Sequence, residues 1–129
     1  MTVVPALLQG DFTSLDEVVE SLSNFRWKVH PTSDGGRTAF TVISGNKDTG
    51  EVHVLAVIEG GTAPEHEHIQ GGSYGELVIT IAGELEDKNY LGEPVVLRPG
   101  DMLFHEGATV HAPKATQFWF GYYHQPRGS

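Results

Sequence analysis

The sequence predicts an all-β sandwich or barrel carrying one short N-terminal helix. From residue 26 onward, apolar and β-branched residues fall in short runs with no helical periodicity between them. The 16 Gly and 7 Pro supply turn formers in number, as in Ser33-Asp34-Gly35-Gly36 and Ser44-Gly45-Asn46. Short strands without intervening helices bury their apolar faces only by stacking or closing the sheet, which is the reason for the class.

The helix is expected at residues 14–22. Ser14 and Glu17 have capping-box spacing, and Leu15, Val18, Val19 and Leu22 recur at helical intervals until Ser23-Asn24 ends the pattern. Strands follow at 26–30, 37–43, 51–59, 76–81, 102–104 and 117–124. In the third of these, Val52, Val54, Ala56 and Ile58 alternate with Leu55 and Val57, so both faces are apolar and the strand is expected to be central. In the last, Phe118, Phe120 and Tyr122 alternate with Trp119 and Tyr123. The first set is assigned to filling the barrel, and the second to meeting a helix or a second subunit.

A chain of 129 residues that is 39% hydrophobic and 19% charged has the size of one domain and enough apolar material for a core. The expected organisation is a single domain over 1–129, with an N-terminal arm and helix at 1–25, a β-barrel at 26–124 and a polar tail at 125–129. Asp and Glu outnumber Lys and Arg by 17 to 8, a net charge of −9 that opposes binding to nucleic acid or an anionic membrane. Cysteine is absent, which excludes disulfides, thiolate metal sites and thiol catalysis. No signal-peptide pattern and no apolar run of about 18 residues occurs, so a cytoplasmic protein is expected. A homodimer is expected as well, because small barrels with apolar residues on both strand faces commonly cover the outer face with a second copy.

Histidine carries the chemistry. His66 and His68 stand at i and i+2, which on a strand puts both imidazoles on one face about 6–7 Å apart, close enough to converge on one cation. Glu76 opens the next strand on the face that carries Val78 and Thr80, and His111 follows the Pro99-Gly100-Asp101 turn. Three imidazoles and a carboxylate suit a divalent transition metal such as Fe, Mn, Ni or Zn, and without thiolates the donor types do not choose among these ions.

The order and spacing resemble the two motifs of the cupin family. Gly60, then His66-Glu67-His68, Glu76 and Gly83 resemble the first motif; Gly100 followed after ten residues by His111 resembles the second. The resemblance implies a double-stranded β-helix, or jelly-roll barrel, with His66, His68, Glu76 and His111 as metal ligands at one end of its interior. This chain departs from the pattern in placing seven residues, 69–75, between His68 and Glu76, where the family has three or four. Glu106, Ala108 and Ala115 stand where Pro, Gly and Asn are usual. Some similar cupins, diketone-cleaving dioxygenases among them, hold their metal with histidines alone.

Around these residues, Glu106 is a pocket candidate, and Tyr74 is read as an exposed loop tyrosine with covering the mouth of the site as the alternative. His105 is read as a strand histidine facing solvent, with a role behind the metal ligands as the alternative. His30, His53 and His124 are read as ordinary surface or packed residues, and Arg98 and Lys114 as solvated, with contact to a substrate carboxylate as the alternative. The resemblance implies a metal-dependent, non-haem iron type dioxygenase or a related enzyme, such as a Lewis-acid isomerase or decarboxylase with the same ligands, acting on a small oxygenated molecule such as a diketone or a keto or enolisable acid. The alternative is a non-catalytic metal- or ligand-sensing module, similar to the cupin domains of zinc-dependent anti-sigma factors.

Overall fold

The computed structural model describes residues 12–46, 51–63, 75–88, 92–106 and 112–125. Among the described residues, one helix, α1 (Leu15–Ser21), precedes eight strands: β1 (Lys28–Pro31), β2 (Arg37–Asn46), β3 (Glu51–Thr62), β4 (Gly75–Gly83), β5 (Leu85–Lys88), β6 (Pro94–Leu97), β7 (Met102–Glu106) and β8 (Lys114–Gln125). The helix and six of the strands lie where the sequence puts them, within a few residues. β5 and β6 were not anticipated, because each has only four residues and the charged Glu86, Asp87 and Lys88 hide the alternation.

Every pairing is antiparallel, in the order β1-β2-β3-β8-β4-β7, with β5 joining β6 to β8. β3 is central as expected, between β2 and β8. The sheet curls so that one face of β2, β3, β8 and β4 encloses an interior that β5 helps close, while the other face carries the helix.

Leu15 and Val18 of α1 pack with Ala39, Leu55, Val57 and Phe120 on that outer face, and Phe12 meets Phe120 edge to face at 5.3 Å. Phe118, Phe120 and Tyr122 therefore form the core beneath the helix, and Trp119 and Tyr123 line the interior. This reverses the expected assignment of the two sets. Alternation separates the faces of a strand but does not say which face turns inward when both are apolar.

The helix is tied down at its N-terminus. Ser14 caps it, its hydroxyl accepting from the Glu17 N–H at 3.2 Å, while the Glu17 carboxylate accepts from the Thr13 N–H at 3.0 Å instead of closing the reciprocal box on Ser14. Glu59 of β3 accepts the otherwise orphaned N–H of Leu15 at 2.8 Å and holds Arg37 of β2, its cross-strand partner, at 2.8 Å. Arg37 in turn grips Asp16 through two nitrogens.

Within the interior, Trp119 donates its indole N–H to Thr80 at 2.9 Å and lays its ring over Gly121, two residues along the same strand face. A Cβ at Gly121 would lie 2.1 Å from that ring and 2.6 Å from the Ile79 carbonyl. Gly121→Ala is expected to displace Trp119 and cost about 1–3 kcal/mol, read as a lower thermal midpoint. A second prediction concerns acid. The bond from Arg37 first, and the Leu15 N–H next, hold the Glu59 carboxyl below its ordinary value of 4.5. A lowered folded-state pKa gives stability that is present above the ordinary value and lost as pH falls through the lowered one. The midpoint gap between wild type and Glu59→Gln is therefore expected to be widest near neutral pH and to close below pH 4.5.

Candidate metal and ligand site

A cavity of about 710 Å³ occupies the barrel interior. Its walls come from both faces of the closure: Thr38 and Phe40 of β2, Ala56 and Ile58 of β3, Trp119 and Tyr123 of β8, Glu76 and Val78 of β4, and Leu85 and Asp87 of β5. That volume lies in the range of small-molecule sites.

Glu76 is only 5% exposed and, as expected, shares the inward face of β4 with Val78 and Thr80, both buried. Across β4 and β7 it stands opposite His105. His66, His68 and His111, and with them Tyr74, lie outside the described residues, as does the side chain of Glu106.

The ends of the two chain segments that contain the three histidines are in view. The Ala63 N–H donates to the Pro113 carbonyl at 2.8 Å, and both residues line the cavity. At the other ends, Gly75 pairs with Glu106. The residues that flank 64–74 and 107–111 are thus paired at both ends, Ala63 with Pro113 and Gly75 with Glu106. Ala63 precedes His66 by three residues, and Pro113 follows His111 by two.

The first of these anchors is braced by the β1–β2 turn. The Thr62 N–H donates to Asp34 at 3.0 Å, and Gly36 donates to the Thr32 hydroxyl at 2.7 Å. The Thr32 hydroxyl, followed by the Thr62 N–H, brings the Asp34 carboxyl down to about 2. A Cβ at Gly61 would fall 2.4 Å from the Thr32 hydroxyl, so the turn and the end of β3 fit together only because Gly61 has no side chain.

His105 overturns the solvent-facing reading. It has no exposed surface, and its Nε2 lies 2.9 Å from Asp87 Oδ2 on β5, whose side chain is 1% exposed. β7 has one inward and one outward face, and Met102 and Phe104, at 64% and 45% exposed, take the outward one. His105 alternates with them and is driven inside by the pleat. Asp87 was missed because β5 was missed, although its place two residues after Leu85 on an alternating strand was a usable signal. Tyr123 lies on the same wall, and burial first, then the Glu76 charge, raises its hydroxyl well above the usual tyrosine range.

Outside the cavity, His53 and His124 are cross-strand partners, stacked at 4.3 Å, and His53 Nδ1 is hydrogen-bonded to the Tyr122 hydroxyl. They are half-buried packed residues, as expected. Arg98 and Lys114 are exposed, Arg98 facing Glu84 at 3.7 Å.

Among the described residues, no three metal-ligating side chains converge on one point. The donor chemistry nevertheless fits a divalent ion: Glu76 presents a hard oxygen donor at the cavity wall, in a chain without thiolates. Asp87→Ala removes the buried partner of His105 and is expected to cost about 1–3 kcal/mol, measured by denaturant unfolding, with Asp87→Asn costing less because it retains a hydrogen-bonding group.

No protein-family model matches the sequence, and no curated protein matches it by sequence. Solved structures match it in three dimensions. The DMSP lyase DddQ from Ruegeria pomeroyi superposes with a TM-score of 0.67 at 21% identity, over 98% of this chain and 72% of that one. A cupin superfamily protein from Desulfitobacterium hafniense gives 0.60 at 14% identity, over 71% of this chain and 78% of that one. Rhodobacter sphaeroides SigE in complex with the anti-sigma ChrR gives 0.58 at 22% identity, over 87% of this chain and 55% of that one. At such identities a shared structure speaks for the fold and not for the activity. The chain has the cupin fold, a jelly-roll of antiparallel strands with a short helix on its outer face.

Proposed function

We propose that the chain binds one divalent transition metal through His66, His68, Glu76 and His111 and acts, as a metal-dependent dioxygenase, on a small oxygenated molecule held in the adjoining cavity. The observation that carries this reading is the bond between Ala63 and Pro113, which joins the flanks of the two histidine-bearing segments at the wall of the cavity that also contains Glu76. Sequence spacing relates those segments only through the family resemblance.

When bound, Fe, Mn, Ni or Zn would supply a Lewis acid, and iron would add redox chemistry with O2. The chain's own part is binding and positioning. Ala56, Ile58 and Val78 form a dry wall that limits water near the reacting molecule. Tyr123, held neutral, offers an O–H donor to a substrate oxygen. Asp87, fixed by His105, stands as an acceptor on the β5 side.

A second reading, a non-catalytic metal- or ligand-binding module, is supported by the match to the ChrR complex over 87% of this chain. The match to the DMSP lyase adds elimination to the chemistries worth testing. Exposed Met102 and Phe104 on β7 support the homodimer, in which a second copy covers the outer face.

Elemental analysis of untagged protein is expected to find close to one ion per chain, with affinity falling as pH drops through about 6.5, where free imidazoles protonate. His66→Ala, His68→Ala and His111→Ala are each expected to abolish or strongly weaken binding and to lower the midpoint of the metal-loaded protein, with Glu76→Gln doing less. Full metal retention in His111→Ala would defeat the assignment. O2 uptake with diketones or keto acids separates the dioxygenase from the binding module, and consumption of DMSP without O2 would replace it by a lyase. Light scattering is expected to give twice the 14.0 kDa chain mass.

A further inference from the structure

The strand register sets two aromatic rings on one row of the cavity wall. Phe40 on β2 is the partner of Ala56 on β3, and Ala56 is the partner of Gly121 on β8. The indole of Trp119 lies back over Gly121 and so takes the place of a side chain there, which leaves only the methyl of Ala56 between the two rings. All three side chains line the cavity. Because β2 and β8 flank β3, the rings rise from places two strand spacings apart, roughly 9–10 Å at the backbone. A flat group stacked between two rings needs about 7–8 Å between them, twice the carbon contact distance of about 3.5–4.0 Å. One strand spacing would bring the rings together, and three would leave a gap too wide for a single layer. Both rings are also held: the Trp119 N–H donates to the Thr80 hydroxyl at 2.9 Å, and His30 of β1 stacks on Phe40 at 5.8 Å with 23° between the planes, which leaves the Phe40 face away from β1 to the cavity.

We propose that the cavity recognises a flat, uncharged, conjugated ring, held between Phe40 and Trp119 over the methyl of Ala56. Aromatic pairs gain attraction beyond the apolar area they bury, so the slot favours a flat ring over a saturated one of the same size. Ile58 and Val78 continue the apolar wall. Among the described lining residues there is no Lys and no Arg, and segments 64–74 and 107–111 contain neither. Of the two carboxylates at the wall, Asp87 is held by His105 and Glu76 is assigned to the metal. A charge of either sign carried into the slot would therefore be buried without a partner, which is costly. The inference rests on the cavity being the ligand site, as in the reading above, and adds the shape and charge of the ligand. It does not require a bound metal.

The two claims separate in one experiment. Calorimetric titration of the full chain, stripped of metal by a chelator and held at about pH 8 so that free imidazoles are neutral, compares acetophenone with cyclohexyl methyl ketone, its saturated counterpart, and with benzoate, its charged one. Acetophenone is expected to bind about tenfold tighter than either. Phe40→Leu, which keeps apolar volume but removes a ring, is expected to erase the difference between the two ketones. Ala56→Leu, whose longer side chain fills the slot from its floor, is expected to weaken acetophenone several-fold. Thermal melts of both variants establish that they fold. Equal binding of the two ketones, heat from neither, tighter binding of benzoate, or an unchanged preference in Phe40→Leu would overturn the proposal. Loading the wild-type sample with zinc then reads the metal separately: one ion per chain with no preference for acetophenone sinks this inference alone, and the preference without metal uptake sinks the metal assignment alone.

Discussion

β8 is hydrogen-bonded along both edges, to β3 on one side and to β4 and then β5 on the other, and this double pairing fixes everything else in the barrel. Because side chains alternate, one choice of register places Trp119 and Tyr123 inside and Phe118, Phe120 and Tyr122 under the helix. Gly121 makes that choice sterically affordable, since only a residue without a side chain leaves room for the indole to lie back along its own strand and reach Thr80. Slipping β8 by one residue would put a tryptophan against α1 and three other rings into the cavity.

The two faces of the sheet then carry different physics. Outside, α1 is held by apolar packing and by the Asp16–Arg37–Glu59 network, whose members are partly exposed, so water screens the charges and their value lies in fixing the helix start more than in net energy. Inside, Glu76, Asp87 and His105 are almost fully buried. Buried polar groups of this kind cost more in desolvation than they return unless each is well partnered, so a barrel optimised for stability alone would replace them with apolar residues.

The fold class was legible because strand runs, turn formers and the absence of helical periodicity all point the same way, and the capping residues mark the helix to within a residue at either end. β5 escaped because two of its four residues face solvent and the inward two are a leucine and an aspartate, which mimic a charged loop. The inner and outer identities on β8 escaped for a different reason: both faces are aromatic, and hydrophobicity has no sign that distinguishes cavity from helix contact. His105 was legible in principle, since Met102 and Phe104 imply an inward residue at the next alternate position, but two exposed apolar side chains invert the usual inference about which face is buried. For Glu76, the shared face with Val78 and Thr80 followed from strand periodicity alone.

The pairing of β3 with β8 also governs how the chain must fold. Residues 52–62 find their partners at 114–125, so the interface closes a loop of more than fifty residues, and no hairpin of near neighbours can substitute for it. The β2–β3 hairpin assembles locally, yet Leu55 and Val57 on one side and Ala56 and Ile58 on the other lack Phe118, Phe120 and Trp119 until β8 arrives. Loop-closure entropy is spent before those contacts return any free energy, which places this barrel among slow-folding topologies. During synthesis β1 to β7 emerge from the ribosome with one edge of β3 unpaired, and the nascent chain depends on β8 to cover that edge of an apolar sheet before it meets another copy of itself.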